Sequence, residues 1–240
     1  IVPATGRGVG GIPPMIRELP GANYAITTNG AVIADLKTNK AIRTCGLSNE
    51  MVQRILNIAK KYHSATDPFI DGRAITQPSS IDHMDEFGLS PQMQKLIRDT
   101  REVVPDVMEY VKTTGAQAEK INIFMADLEE REILRRELMA MPELSISSSM
   151  YNNLEVNAKG ADKGSALLWL ADHLGISREE TMAFGDGEND IPMIKDAGIG
   201  VAMENALDAV KEAADTITLN NDEDGVAAAI RKFIFGSSEE

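Results

Sequence analysis

The residues best suited to do chemistry lie in one acidic loop, G-D-G-E-N-D at positions 185–190. Its carboxylates belong to Asp186, Glu188 and Asp190. Carboxylate oxygens held this closely suit Mg²⁺, which keeps several waters and takes only one or two protein carboxylates. The alternative is a solvated acidic turn that caps a helix, because Asp is common near helix starts. The pattern therefore predicts a divalent-cation site, provided that neighbouring elements hold the loop in place.

A buried strand and a helix are predicted on either side of this loop. Residues 181–184 (TMAF) are mostly apolar and predict a short strand, which Gly185 and Gly187 end. Pro192 is typical of the first turn of a helix, so the loop runs directly into one. Open α/β sheets build their ligand sites at the carboxyl ends of such strands. This placement favours a metal site over an ordinary acidic turn.

Four short motifs resemble those of the haloacid dehalogenase (HAD) superfamily, in the form found in its Cof-type phosphatases. The acidic loop resembles the fourth motif, and Lys163 in Asp-Lys-Gly resembles the lysine of the third. Residues 5–7 (TGR) resemble the second motif, and residues 29–31 (NGA) resemble a turn that places an asparagine near the substrate. An Asn-Gly hairpin turn is the alternative for this last motif. The resemblance extends over essentially the whole chain.

The resemblance implies a Mg²⁺-dependent phosphatase that acts on a small phosphorylated metabolite, such as a sugar phosphate. In this family an Asp nucleophile forms an aspartyl-phosphate, which water then cleaves. Asp186 is the best candidate for the Mg²⁺ ligand, and Asp190 either binds the metal as well or orients it through a water. Lys163 and Thr5 are candidate catalytic residues that stabilise charge on the transferring phosphoryl oxygens. The candidate substrate-binding residues are Thr5, Gly6, Arg7, Asn29, Lys163 and Asn189.

One part of the family pattern, the D-x-D-G-T segment with the nucleophile and its acid–base partner, does not occur in its expected place before Thr5. The resemblance puts that segment on a central strand, between the strands of the second and fourth motifs. Without it, two buried strands would leave N–H and C=O groups unpaired, at a cost of roughly 1–3 kcal/mol each. We therefore expect an upstream segment of roughly 40 residues in the working protein, a length taken from the resemblance.

The composition is that of an ordinary globular protein with a strongly acidic balance. The chain has 240 residues, of which 43% are hydrophobic and 25% charged, and its net charge is −13. This charge argues against a general nucleic-acid binder and against adhesion to anionic membranes. No apolar run approaches the roughly 20 residues of a membrane span, and no signal peptide is visible. The single cysteine, Cys45, excludes an internal disulfide and fits the reducing cytoplasm.

Alternating strands and helices in the last third of the chain predict an α/β fold with a doubly wound, Rossmann-like parallel sheet. Residues 1–34 and 151–240 are assigned to this core, with a core strand at residues 151–156. Residues 35–150 mix strands and helices without regular alternation, which predicts an inserted α+β cap domain, as the resemblance also implies. We expect helices at 48–62, 90–101, 128–141 and 205–214, strands at 1–5, 120–125 and 144–148, and a frayed tail at 236–240.

Two other functions stay open. The first is a non-catalytic HAD-like binding or regulatory protein that has lost the nucleophile motif. The second is a dinucleotide-binding oxidoreductase, because residues 6–11 (GRGVGG) match the G-x-G-x-x-G fingerprint. That fingerprint also needs an acidic residue at the end of the second strand, and the strand predicted at residues 24–28 ends in Asn29 instead. The intact second, third and fourth motifs favour the phosphatase.

Overall fold

The computed structural model describes residues 1–236, which divide into two units between Ala161 and Asp162. The tail for which we expect fraying lies outside the described residues, apart from Gly236. Within residues 1–236, no helix is both long enough and apolar enough to cross a bilayer.

The first unit begins with a small antiparallel sheet. A short helix, α1 (Pro14–Arg17), precedes strands β1 (Tyr24–Thr27), β2 (Val32–Asp35) and β3 (Lys40–Thr44), which pair in the order β1-β2-β3. The strand predicted at residues 1–5 is reduced to a single parallel bridge between Ala4 and Ile26. The strand β3 continues the sheet past residue 34, where we predicted that the cap begins.

A six-stranded sheet forms the larger part of the first unit. Its strands occur in the order β6-β5-β4-β7-β9-β8, and only β5 and β6 pair in parallel. The strands and helices of this part are α2 (Asn49–Ala59), β4 (Ser64–Ile70), β5 (Arg73–Thr76), α3 (Pro78–Asp82), α4 (Pro91–Thr100), β6 (Arg101–Val103), α5 (Val107–Thr114), β7 (Lys120–Met125), α6 (Leu128–Met139), β8 (Leu144–Ser147) and β9 (Asn153–Ala158).

The two faces of this sheet differ because side chains alternate along each strand. On β7, Ile121, Ile123 and Met125 are fully buried in an apolar core that includes residues of α2, α5 and α6. Lys120 and Asn122, which alternate with these residues, occupy the opposite face and are also buried. Helices therefore cover one face with apolar side chains, and the other face buries polar and charged side chains beside a smaller apolar cluster around Phe124.

The strand that we predicted at residues 151–156 does not belong to the core sheet. It forms as β9, which pairs antiparallel with β7 and β8. The assignment to the core is therefore wrong, because the backbone groups of β9 bond to strands of the predicted cap. Side-chain alternation predicts that a segment is a strand, whereas its partners depend on pairing with segments distant in sequence.

The second unit is a three-stranded parallel sheet with helical crossovers. Met182 lies opposite Ile199, and Gly185 lies opposite Ala202, so neighbouring strands end at the same edge. Parallel strands separated by helices are the arrangement that the sequence predicts for this part of the chain. Its elements are α7 (Lys163–Leu174), β10 (Met182–Gly185), α8 (Ile191–Asp196), β11 (Ile199–Ala202), α9 (Asp208–Ala213), β12 (Thr216–Ile217) and α10 (Gly225–Ile234).

Candidate active site

The acidic loop follows β10 directly and is held together by one of its own carboxylates. Asp190 is 5% exposed, and its Oδ2 accepts hydrogen bonds from the backbone N–H groups of Asp186 and Gly187, both at 3.0 Å. The residues from Glu188 to Asp190 form one turn of 3₁₀ helix that leads into α8. A buried carboxylate that accepts two backbone N–H groups fixes the path of the loop.

The other oxygen of Asp190 forms an ion pair with Lys163. The distance from Lys163 Nζ to Asp190 Oδ1 is 2.5 Å, and both side chains are nearly inaccessible to solvent. Lys163 is the first residue of α7, whose N-cap is Asp162. A cation at a helix N-terminus opposes the helix dipole, so helix stability does not explain a lysine at this position. Pairing with Asp190 offsets the cost of burying both charges.

Gly185 lets the carboxylate of Asp190 approach the end of β10. A Cβ atom at position 185 would lie 2.3 Å from the Cβ of Asp190, which is closer than real Cβ atoms come. Any side chain at position 185 would push Asp190 away from the backbone N–H groups that donate hydrogen bonds to it. The glycine before the first aspartate of the loop is therefore required by packing, and not only by the turn.

Asp186 differs from Asp190 because its side chain is exposed. Its Oδ2 accepts a hydrogen bond from Asn205 Nδ2 at 3.2 Å. Asn205 comes shortly after the carboxyl end of β11, the parallel neighbour of β10. Sequence reasoning missed Asn205 as a site residue and put it in a helix, although a polar residue just after a parallel strand is a recognisable signal. That helix, α9, begins only at Asp208.

The side chains of the acidic loop fit one direct Mg²⁺ ligand better than two. In the part of the chain from 1 to 236, no cluster of three or more His, Cys, Asp and Glu side chains could hold a metal ion. Mg²⁺ needs only one or two protein carboxylates, since waters and substrate oxygens complete its shell. The exposed carboxylate of Asp186 suits a direct ligand. The carboxylate of Asp190 is already occupied by Lys163 and two backbone amides.

The carboxyl group of Asp196 lies next to the start of α7. Burial raises the pKa of Asp196, and the negative charge of Asp162 raises it further, whereas Arg178 lowers it. Asp196 is the last residue of α8, where the helix dipole also disfavours a negative charge. The ionised carboxylate of Asp196 therefore destabilises the folded protein at neutral pH.

The predicted phosphate-binding residues of the first unit lie together around one turn. Thr5 Oγ1 accepts a hydrogen bond from the N–H of Arg7 at 3.1 Å. The N–H of Asn29 donates to the carbonyl oxygen of Thr5 at 3.1 Å, and that of Thr28 donates to Arg7 at 2.9 Å. The second motif and the N-G-A motif are thus neighbours, joined by backbone hydrogen bonds.

The N-G-A motif forms a hairpin turn, and the placement of its asparagine near a substrate stays a prediction. It connects β1 to β2, which pair antiparallel, so it is a hairpin connection. The side chain of Asn29 is nevertheless 3% exposed and points to other side chains rather than to solvent. By contrast, residues 6–11 do not lead into a long helix as a dinucleotide fingerprint does, since Val9–Gly11 is a 3₁₀ turn and α1 has only four residues.

Comparison with known proteins identifies the family. The sequence profile of the haloacid dehalogenase-like hydrolases matches residues 1–230. The chain belongs to this family. It is 50% identical over 114 residues to a 5-amino-6-(5-phospho-D-ribitylamino)uracil phosphatase of Bacillus subtilis, a match that covers 46% of this chain and 46% of that relative. The matched part thus spans less than half of the relative's length.

Solved structures of HAD hydrolases match nearly the whole chain. A haloacid dehalogenase-like hydrolase of Bacillus subtilis is 27% identical with a TM-score of 0.83, covering 97% of this chain and 87% of that one. A HAD subclass IIB sugar phosphatase is 27% identical with a TM-score of 0.78, covering 97% of this chain and 85% of that one. The predicted superfamily and its α/β fold with a parallel sheet are therefore confirmed.

In this member of the HAD family, the predicted site residues occupy two groups. The second unit brings together Lys163, Asp186 and Asp190 through the contacts described above. Asn189 lies between the two aspartates in the same 3₁₀ turn. The first unit brings together the residues of the second motif and the N-G-A turn, which are Thr5, Gly6, Arg7 and Asn29.

Proposed function

We propose that the protein is a Mg²⁺-dependent phosphatase that hydrolyses the phosphate monoester of a small metabolite. The observation that carries this proposal is the buried pair of Lys163 and Asp190 beside the exposed carboxylate of Asp186. The pair lies at the carboxyl end of a parallel strand in a chain of the HAD hydrolase family. A cation and a metal-binding carboxylate in one place suit phosphoryl transfer, which depends mainly on charge stabilisation.

In this proposal, each residue of the acidic loop has its own role. Asp186 would hold Mg²⁺, which supplies positive charge next to the phosphoryl oxygens. Asp190 keeps the loop in place and orients the ammonium group of Lys163. An ammonium group has three N–H donors, so Lys163 can donate to a phosphoryl oxygen while it remains bonded to Asp190. The nucleophile stays the aspartate that the family's D-x-D-G-T motif implies, and the role of Thr5 stays a prediction from the second motif.

For the substrate, we propose a phosphorylated sugar or sugar alcohol. The relative from Bacillus subtilis is named for a phosphorylated ribityl compound, and a structural neighbour is named a sugar phosphatase. Both names describe a phosphate on a polyhydroxylated carbon chain. The net charge of −13 supports a small substrate rather than nucleic acid, because only local cations can offset the repulsion of a phosphate. The single cysteine, Cys45, supports the cytoplasm as location.

We further propose that the six-stranded sheet and helices α2–α6 are the cap. The apolar face of the sheet packs with α2, α5 and α6 in one core, as expected for a separate folding unit. Because β9 belongs to this sheet, the cap extends to Ala158 and not only to residue 150.

The test is a phosphatase assay of the protein expressed from its complete reading frame. We expect hydrolysis of para-nitrophenyl phosphate that requires Mg²⁺ and stops with EDTA, and faster hydrolysis of sugar phosphates in a panel that includes phosphodiesters and carboxyl esters. The variant Asp172→Asn, an exposed carboxylate on α7, should behave like the parent. Absence of turnover on every phosphate monoester in Mg²⁺ would contradict the proposal and favour the non-catalytic HAD-like protein.

A further inference from the structure

A buried polar network connects the six-stranded sheet with the turn between β1 and β2. Glu155 on β9 accepts a hydrogen bond at Oε1 from Lys120 Nζ, at 2.7 Å, and at Oε2 from Asn29 Nδ2, also at 2.7 Å. All three side chains belong to residues that are at most 3% exposed. The carboxylate of Glu155 therefore holds a lysine of its own sheet with one oxygen and the turn with the other.

A neighbour on the same strand provides a second connection. Asn157 Nδ2 donates to the carbonyl oxygen of Thr28 at 3.0 Å, and its Oδ1 accepts from Asn29 at 3.3 Å. Thr28 and Asn29 have φ angles of 49° and 61°, in the left-handed region that costs energy for residues other than glycine. Contacts from β9 thus stabilise a turn whose backbone is unfavourable by itself.

The same turn holds the second motif in place. The backbone N–H of Asn29 donates to the carbonyl oxygen of Thr5, and that of Thr28 donates to the carbonyl oxygen of Arg7. Between those residues, Gly6 lies directly against the network: a Cβ atom there would be 2.8 Å from Asn29 Oδ1 and 3.4 Å from Lys120 Nζ. Only glycine fits this position without displacing the amide or the ammonium group, so the loop of residues 5–7 packs against the network itself.

Stability alone gives no reason for such charges in this sheet. Burying an ion pair costs about as much as its attraction returns, and apolar residues of the same size often stabilise a fold equally well. The other face of the same strands is covered by an apolar core, with Ile121 and Val156 fully buried. The charged face therefore points to a requirement other than folding.

We infer that Glu155 and Asn157 are positioning residues for the phosphate-binding loop Thr5-Gly6-Arg7. This inference rests on the proposed phosphatase function. The positioning residues act through Asn29 and Thr28 and do not touch the substrate themselves. Their loss should weaken binding of the phosphoryl group and leave the affinity for Mg²⁺ unchanged, because Asp186 is not part of the network.

The experiment compares two double variants that remove both buried charges. Lys120→Met/Glu155→Gln keeps a carbonyl oxygen that can accept from Asn29, whereas Lys120→Met/Glu155→Leu does not. The inhibition constant of inorganic phosphate should stay within about threefold of the parent in the first and rise about tenfold in the second, as expected for one lost buried hydrogen bond. The KM should follow the inhibition constant, while the Mg²⁺ dependence should not change.

Two single variants separate positioning from loss of stability. Asn157→Ala removes the contacts to the turn without disturbing the ion pair, and it should also weaken phosphate binding. Arg131→Met removes buried hydrogen bonds from α6 to the carbonyl oxygen of Asn153 and to Ser148, away from the turn. It should lower the melting temperature and leave the phosphate inhibition constant unchanged.

The outcomes distinguish this inference from the proposed function. If the parent hydrolyses phosphate esters and the two double variants bind phosphate equally well, the inference is overturned while the proposed function stands. If the double variants do not fold, Asn157→Ala decides, and parent-like phosphate binding by it overturns the inference. A parent that neither hydrolyses phosphate esters nor binds phosphate overturns both.

Discussion

At the scale of single residues, the two aspartates of the acidic loop do different work. Asp190 uses both carboxylate oxygens inside the protein, one for Lys163 and one for two backbone amides. Asp186 is exposed and contacts only the side chain of Asn205 among the hydrogen bonds described for its carboxylate. We therefore expect substitutions of Asp190 to affect stability and substitutions of Asp186 to affect the metal.

Replacing Lys163 by Ala should reduce phosphate-ester turnover and destabilise the fold. Loss of a preorganised charge next to the phosphoryl group lowers rates by about 10²-fold. The buried carboxylate of Asp190 also loses its partner, which costs about 3 kcal/mol of unfolding free energy. The measurements are kcat/KM and urea denaturation. Lys195→Ala, an exposed lysine on α8, is the control. A Lys163→Ala protein within threefold of the parent rate would make Lys163 a structural lysine.

Replacing Asp186 and Asp190 separately by Asn should separate metal binding from stability. Asp186→Asn should weaken Mg²⁺ binding at least tenfold, with the unfolding free energy within about 0.5 kcal/mol of the parent because the side chain is exposed. Asp190→Asn should lower the unfolding free energy by about 3 kcal/mol, since it leaves Lys163 buried without a counter-charge. Calorimetric Mg²⁺ titration and urea denaturation measure the two effects. Unchanged Mg²⁺ affinity in Asp186→Asn would remove Asp186 from the metal site.

At the scale of elements, the local signals around the acidic loop predicted its structure well. The apolar run before Gly185 forms β10, and Pro192 lies in the first turn of α8. The backbone conformation and burial of such short segments depend mainly on residues adjacent in the chain. They can therefore be predicted from the sequence. The strand at residues 120–125 was also predicted with its observed bounds.

Features that depend on distant partners were missed or misplaced. The strand β9 was assigned to the wrong sheet because its alternation does not specify which strand it pairs with. Asn205 was placed in a helix that begins only at Asp208, and its contact with Asp186 was missed because the two residues follow different strands. The buried network around Glu155 was also missed, since its partner Asn29 lies in a turn 126 residues earlier.

The end of α8 offers a test of electrostatics at this scale. The pKa of Asp196 is raised in the folded protein by burial and by Asp162, so the ionised form opposes folding. This penalty is present above the folded pKa and disappears as the pH falls toward the unfolded value of 3.8. Asp196→Asn should therefore stabilise the protein at pH 7 by about 0.5 kcal/mol, with a gain that vanishes toward pH 4.

Thermal denaturation at several pH values measures this gain. Glu204→Gln, which changes an exposed carboxylate between β11 and α9, is the matched control. A gain for Asp196→Asn that grows as the pH falls would contradict the direction of the pKa shift.

At the scale of the whole molecule, the net charge opposes the proposed substrate. A chain with a charge of −13 repels a phosphate dianion at long range, whereas the proposed Mg²⁺ and Lys163 would attract it only at short range. Salt screens the long-range part more strongly than interactions within a buried site. The acidic balance should therefore slow the approach of substrate and leave the bound state little affected.

Raising the ionic strength from about 0.02 to 0.15 M should increase kcat/KM for a phosphate monoester by roughly twofold. The change should be mainly in KM, because the screened repulsion acts before the substrate is bound. An equal osmolality of sucrose is the control for effects unrelated to charge. A decrease of kcat/KM with salt would mean that the field around the site attracts phosphate despite the net charge.

In the proposed mechanism, the acidic loop binds the divalent cation at Asp186, in the place where the phosphoryl group meets Lys163. The most direct measurement is anomalous diffraction from crystals grown with Mn²⁺ in place of Mg²⁺ and with inorganic phosphate. We expect an anomalous peak bonded to a carboxylate oxygen of Asp186, with phosphate bound to that metal and within hydrogen-bonding distance of Lys163 Nζ. A metal peak that lies away from residues 185–190, or phosphate bound without contact to Lys163, would contradict it.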